Sequence, residues 1–227
     1  MIAKTGKLPM ILVLTAILTA VPDAGAEPPL RLEAPFFCQA PTANWGDPRQ
    51  QDGCEEAAIL MAHLWLSGSG AETTMTAAEA EAEIIAISEW EKARYGFYED
   101  RSLADTAALF EEYYGHKNWE IKKNVTAAGI KAELAAGNLV IVPANGQLLG
   151  NPYFSSPGPV THMLVIVGYD ENDGVFLTND PGTRRGRSFP YPYERLVAAI
   201  YDYPTGRRHV PYKKTAPVML VIRPGQP

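Results

Sequence analysis

Two cysteines and four histidines bound the nucleophilic chemistry open to this sequence of 227 residues. Cys54 follows Asp52-Gly53, where a loop rich in Gly, Pro and Asp gives way to a helix. The unpaired amides and positive end of a helix favour a thiolate at such a position. Glu55 and Glu56 oppose it, because nearby negative charge raises a thiol pKa. A reactive Cys54 therefore needs a cationic partner; otherwise it is a small buried residue on an apolar helix face. His63 lies nine residues further along the same helix, about 13.5 Å along its axis, and cannot reach. His116 follows a helix stop in a polar segment and His209 sits in a basic Pro/Gly loop, so both read as surface residues. His162 opens the apolar run Met163-Leu164-Val165-Ile166-Val167. Taken alone, it reads as a solvated or core-edge side chain at a strand end.

Hairpin geometry separates His162 from the others. A turn centred near Glu171 or Asn172 sets it opposite a residue between 180 and 182, within reach of Asp180. An unbulged hairpin favours Asp180 as the group that orients the imidazole, with Asn179 as the alternative. Asp180-Pro181-Gly182 also reads as an ordinary turn. Cysteine, histidine and an acid would supply a nucleophile, its base and an orienting group. Acyl chemistry further needs a donor for the developing oxyanion. Gln39, fifteen residues before Cys54, is the candidate side chain, and the Cys54 backbone amide is the second donor.

The elements that must position these residues follow from pattern and punctuation. An extended, proline-bounded segment (30–39) leads into the loop 41–53. Cys54, Ala58, Met61 and Trp65 share one face of a helix over 54–66, stopped by Gly68-Ser69-Gly70. Further helices are predicted over 76–91, 103–114 and 126–136, the last two closed by Gly115 and Gly137. Strands are predicted over 119–123, 139–142, 161–169, 175–179 and 217–222, the last closing the sheet. Helices come first and antiparallel strands afterwards, the segregated α+β layout of a single domain.

Composition narrows the setting. With 46% hydrophobic and 20% charged residues the chain is globular. Its net charge of −6 disfavours a general nucleic-acid binder. Lys4, Lys7, the apolar run Met10 to Val21 and Ala24-Gly25-Ala26 have the form of an export leader over 1–26. Removing it takes Lys4, Lys7 and Asp23 away and leaves 27–227 with a charge of −7. The mature domain is expected in the periplasm or outside the cell, with no membrane attachment after cleavage. No phosphate loop, dinucleotide fingerprint or metal-spaced cluster occurs, so no cofactor or metal is expected. Asn124-Val125-Thr126 is a glycosylation sequon, and Arg184-Arg185-Gly186-Arg187 and Arg207-Arg208 are local basic clusters able to attract an acidic stretch of substrate. An exported chain with two cysteines invites a disulfide. Neighbours on an extended segment point to opposite faces, so a Gln39 facing Cys54 turns Cys38 away and leaves Cys54 free.

Four blocks in order, Pro35-Phe36-Phe37-Cys38-Gln39, Asp52-Gly53-Cys54-Glu55-Glu56-Ala57-Ala58, His162 to Tyr169 and Asn179-Asp180-Pro181-Gly182, carry a resemblance. The set resembles the stand-alone relatives of the bacteriocin-processing, double-glycine-leader cysteine peptidases of the papain-like superfamily. That resemblance implies a papain-like fold, with Cys54 as nucleophile, His162 as base, Asp180 as orienting acid and Gln39 as oxyanion donor. Glu55-Glu56 departs from the Gly-Pro pair of many relatives. The 76–91 helix and the aromatic stretch Trp90 to Tyr98 resemble variable lid or groove elements. The expected partner is a peptide or protein substrate cleaved through a thioester. The rival readings are a catalytically silent peptide-binding domain and a thioester-using acyltransferase.

Overall fold

A computed structural model describes residues 1–2, 28–206 and 213–225. Apart from Met1 and Ile2, the expected leader lies outside the described residues, as do His209 and Arg207-Arg208. The extended segment begins as a two-residue strand, β1 (Leu30–Arg31). Inside the following loop, an Asp47 cap and Pro48 at the first helical position start a short helix, α1 (Pro48–Gln51). Then come α2 (Cys54–Leu66), α3 (Ala77–Tyr95) and α4 (Leu103–Tyr114). Thr76 and Glu79 cap α3 reciprocally, and Gly96 ends it in the left-handed region, so the helix runs four residues past Glu91.

The second half runs β2 (Trp119–Lys123), α5 (Ala127–Ala135), β3 (Leu139–Ala144), α6 (Gly146–Leu149), β4 (His162–Asp170), β5 (Val175–Asn179), β6 (Phe189–Pro192), α7 (Tyr193–Ala199) and β7 (Val218–Ile222). The strands form one sheet in the order β2-β7-β3-β4-β5-β6, with β1 beside β4, and every pairing is antiparallel. The α+β class is therefore as expected, but β7 lies between β2 and β3 and not at an edge. All five of its residues are buried, whereas β2 carries exposed Glu120 and Lys123 and suits an edge. Helices α2, α3 and α4 pack on the face presenting Ile141, Met163, Val165 and Leu220. The opposite face, with Val142, Leu164, Ile166 and Val221, is covered by α5 and α7. Helix α2 is buried along its first nine residues, from Cys54 to Ala62, so it is central and not merely amphipathic.

The β4–β5 hairpin differs from expectation in an informative way. Asp170 pairs with Val175 and Gly168 with Leu177, which centres the turn between Asn172 and Asp173. A bulge between Ile166 and Gly168 then shifts the register to Val165 opposite Asn179. Continued past the end of β5, that register sets His162 across from Gly182, with Asp180 two residues away on the same face. Without the bulge, Asn179 would take that face. The bulge, and not its absence, is what favours Asp180.

Candidate active site

Cys54, His162 and Gln39 line one cavity of about 240 Å³. Cys54 is the first residue of α2 and His162 the first of β4. Gln39 ends the extended segment, where its backbone N–H donates to Pro181 O at 2.9 Å. That bond fastens the segment to the loop following β5. Asp180 is fully buried behind His162 and does not line the cavity.

His162 Nε2 and Asp180 Oδ1 are 2.8 Å apart. The Gly182 N–H donates to the same oxygen at 3.0 Å, while Tyr191 Oη (2.6 Å) and Asn151 Nδ2 (3.2 Å) donate to Oδ2. Burial by itself raises the Asp180 carboxyl, but His162 first, then Tyr191 and the Gly182 amide, hold it below its ordinary value. An ionised Asp180 selects the tautomer with hydrogen on Nε2 and leaves Nδ1 as the basic nitrogen. Two glycines make this packing possible. A Cβ on Gly182 would lie 2.9 Å from His162 Cε1, and one on Gly186 only 1.8 Å from Asp180 O. Asn179 is turned elsewhere: its amide donates to Ala34 O and Pro35 O.

Cys54 does not hydrogen-bond to His162. Its Sγ donates to Glu55 Oε2 at 3.0 Å. Glu55 Oε1 accepts Tyr203 Oη at 2.7 Å and the Arg101 N–H at 3.0 Å. Burial, then the neighbouring Glu55, Asp100 and Glu56, raise the Cys54 thiol well above its ordinary value. Magnitudes settle the contest foreseen between the helix end and its acids. A carboxylate this close costs a thiolate roughly 5 kcal/mol at an effective dielectric near 20, against about 0.3–2 kcal/mol from a helix terminus. The resting state is the neutral thiol.

Gln39 reaches the cavity with its amide already engaged. Nε2 donates to Gln50 O at 2.9 Å and to Gln51 O at 2.7 Å, the two carbonyls at the end of α1. Both amide hydrogens thus hold the loop that precedes Cys54. Cys38 and Cys54 are both free and both buried. Gln39 lines the cavity and Cys38 does not, in keeping with opposite faces of an extended segment. Burial pushes the Cys38 thiol up to about 11.

Several contributors escape a reading of the sequence. Asp100, in the left-handed region at φ 38°, lines the cavity and accepts Thr161 Oγ1 at 2.7 Å. Asn151 and Tyr191 complete the shell of Asp180. Their only signals are a Gly-Asn-Pro turn and a Pro-Tyr-Pro strand, neither of which names a catalytic partner. Behind Glu55, Glu56 faces Glu91, and Glu91 pairs with Arg101, all buried. The Arg101 guanidinium stacks over Tyr95 at 4.3 Å and lies 5.5 Å from Phe97. Part of the Trp90 to Tyr98 stretch therefore serves to bury Arg101, and none of it lines the cavity.

The histidines need one correction. His116 is half-buried, not a surface residue: its Nε2 lies 2.9 Å from His63 Nδ1, and its ring packs against Phe110. Among the described residues, no helix is long and apolar enough to cross a membrane and no cluster of three or more His, Cys, Asp or Glu could hold a metal ion.

Residues 31–205 match the family described as Peptidase_C39 like. Over 110 residues the chain is 31% identical to uncharacterised proteins of Mycobacterium bovis and Mycobacterium tuberculosis. The match spans 43% of this chain and 47% of those relatives, so the chain covers about half the length of the curated relatives it matches. A crystal structure assigned as a C39-like peptidase from Bacillus anthracis superposes with a TM-score of 0.50 at 13% identity. It covers 88% of this chain and all of that one, a likeness of fold.

Proposed function

Because the chain belongs to the Peptidase_C39-like family, we propose that it is a cysteine-type hydrolase that cleaves a peptide or related amide bond through a thioester on Cys54. The observation that carries this reading is the meeting of three elements: Cys54 at the start of α2, His162 at the start of β4, and Asp180 2.8 Å behind the imidazole. In the proposed cycle, substrate entering the cavity displaces the Cys54 thiol from Glu55. His162 Nδ1 takes the proton, and Sγ attacks the carbonyl carbon. The oxyanion is held by the Cys54 amide, with Gln39 exchanging one of its carbonyl contacts for it. His162 then protonates the leaving amine as the tetrahedral intermediate collapses. A water deprotonated by His162 attacks the thioester, and Sγ leaves to restore the thiol.

One observation favours a second reading. The Cys54 thiol donates its hydrogen bond to Glu55 and not to His162, as it would in a silent peptide-binding domain. Alkylation by iodoacetamide at neutral pH separates the two. Fast labelling confined to Cys54, lost in Cys54→Ala and slowed in His162→Ala, supports the hydrolase; labelling no faster than that of an ordinary free thiol supports the binding module. Product analysis with added amine distinguishes hydrolysis from acyl transfer. The leader-like segment 1–26 supports export, and amino-terminal sequencing of the protein from periplasm or culture fluid tests that proposal, with Glu27 as the expected first residue.

A further inference from the structure

A second concavity, of about 330 Å³, opens beside the first and shares Trp45, Ser155 and Gly182 with it. Its floor is aromatic and its rim cationic. Trp45 and Tyr153 are both exposed, and the Arg185 guanidinium lies 4.7 Å over the Tyr153 ring. Arg184, also exposed, stands next to it. Among the described residues, neither arginine forms an ion pair with an acid of this chain, whereas Arg187, two residues further on, is paired with Glu72 at 3.1 Å. A molecule with a net charge of −6 thus presents, at the mouth of its cavity, two adjacent guanidinium groups that no acid among the described residues neutralises. Their loop is not loosely attached. Gly182 N–H is bonded to Asp180, and Arg185 N–H to Thr183 Oγ1 at 3.2 Å.

The position of this shelf fixes which half of a substrate it meets. His162 protonates the leaving amine, so the amine-bearing half must lie over the imidazole. Gly182, packed against His162, is also the first residue of the shelf loop. Asp52 and Asp100 also line the first cavity, and neither belongs to the shelf. We infer that Trp45, Tyr153, Arg184 and Arg185 form a subsite for a carboxylate on the leaving half of the substrate, C-terminal to the cleaved bond. The inference rests on the hydrolase reading for its direction. The carboxylate has two sources, an acidic side chain or a free chain terminus. Guanidinium groups bind either in a forked geometry, and the aromatic floor takes the adjoining carbon skeleton.

Three quenched peptide pools, randomised on the acyl side, test this. The leaving half carries Glu with a terminal amide in the first, Gln with a free terminal carboxylate in the second, and Gln with a terminal amide in the third. The first or second is expected to exceed the third in kcat/KM by about tenfold, the size of one charge-assisted hydrogen bond. The gain should reside in KM and fade as salt rises. The preference ratio should fall towards one in the doubly substituted Arg184→Ala/Arg185→Ala protein, whose Cys54 labelling rate reports that the site is intact. Binding of the same pools to Cys54→Ala is measured alongside. Arg-dependent preference in binding with no cleavage would uphold the subsite and defeat the hydrolase reading. Equal treatment of the three pools, in cleavage and in binding, would overturn the subsite.

Discussion

Cys54 Sγ lies 3.0 Å from Glu55 Oε2, while the other Glu55 oxygen already accepts Tyr203 Oη and the Arg101 N–H. Those two donors fix the orientation of any amide put in place of the carboxyl. In Glu55→Gln the oxygen must stay with Tyr203 and Arg101, which turns the NH₂ towards sulfur. A carboxylate that repels the thiolate is then replaced by a donor that stabilises it. The Cys54 pKa should fall, and alkylation at pH 7 should accelerate about tenfold for each pKa unit of that fall. The pH dependence of the iodoacetamide rate measures this; an unchanged profile would remove Glu55 from control of the thiol. Gln39 allows a similar separation. If it joins the oxyanion hole, Gln39→Ala should lower kcat by about 10²-fold or more and leave alkylation unchanged, because displacement of iodide develops no oxyanion. If it only fastens the end of α1, both rates should shift together, since the loop before Cys54 would loosen.

Elements decide which of these residues meet, and they were only partly legible in the sequence. The helix from Cys54 to Leu66 and the strand from Val175 to Asn179 were readable because apolar spacing and glycine stops define them locally. The partnership of His162 with Asp180 was readable for a less secure reason. A plausible hairpin put the acid nearby, but the face it takes depends on one bulge, and a bulge leaves no mark in a run of Val, Ile and Gly. Glu55 was legible as a neighbour in sequence but not as a hydrogen-bond acceptor, since Tyr203 and Arg101 arrive from distant segments. The His63–His116 pair is hidden in the same way, because it joins the end of α2 to the residue after the cap of α4. Burial first, then His116, lowers the His63 pKa from 6.5, and burial lowers that of His116. Below about pH 6.5 the unfolded chain therefore takes up protons that the folded pair resists. Stability from this junction is complete above that pH and declines as pH falls through the lowered folded values. Between pH 7.5 and 5.5 the denaturant midpoint of the wild type should therefore lose more, or gain less, than that of His116→Gln.

The whole molecule is built around α2, which carries Cys54 at its start and places two carboxyls inside the core beside it. Glu55 and Glu56 are almost fully buried, as are Glu91 of α3 and Arg101, the one guanidinium in the cluster. Ser88 donates to Glu56 Oε1 at 3.1 Å. Burial, and then Glu91, raise the Glu56 carboxyl well above its ordinary value; burial raises that of Glu91 to about 7, against the pull of Arg101. Both shifts favour a proton shared between Glu56 and Glu91, with Arg101 paired to Glu91. Both folded-state values exceed the unfolded value of 4.5, so the folded protein binds the extra protons. Their contribution to stability is complete below about pH 4.5 and is lost as pH rises through about 7 and beyond, the reverse of the histidine junction. Glu56→Gln keeps the donor towards Glu91 without a proton to lose. Its denaturant midpoint should therefore fall less than that of the wild type between pH 6 and 9. Because α2 also sets the position of Cys54, the same variant should retain more of its alkylation rate than the wild type after incubation at pH 9. Parallel midpoint curves for the two proteins would mean that the acids are held in the core by packing alone and that their shared proton contributes nothing to the fold.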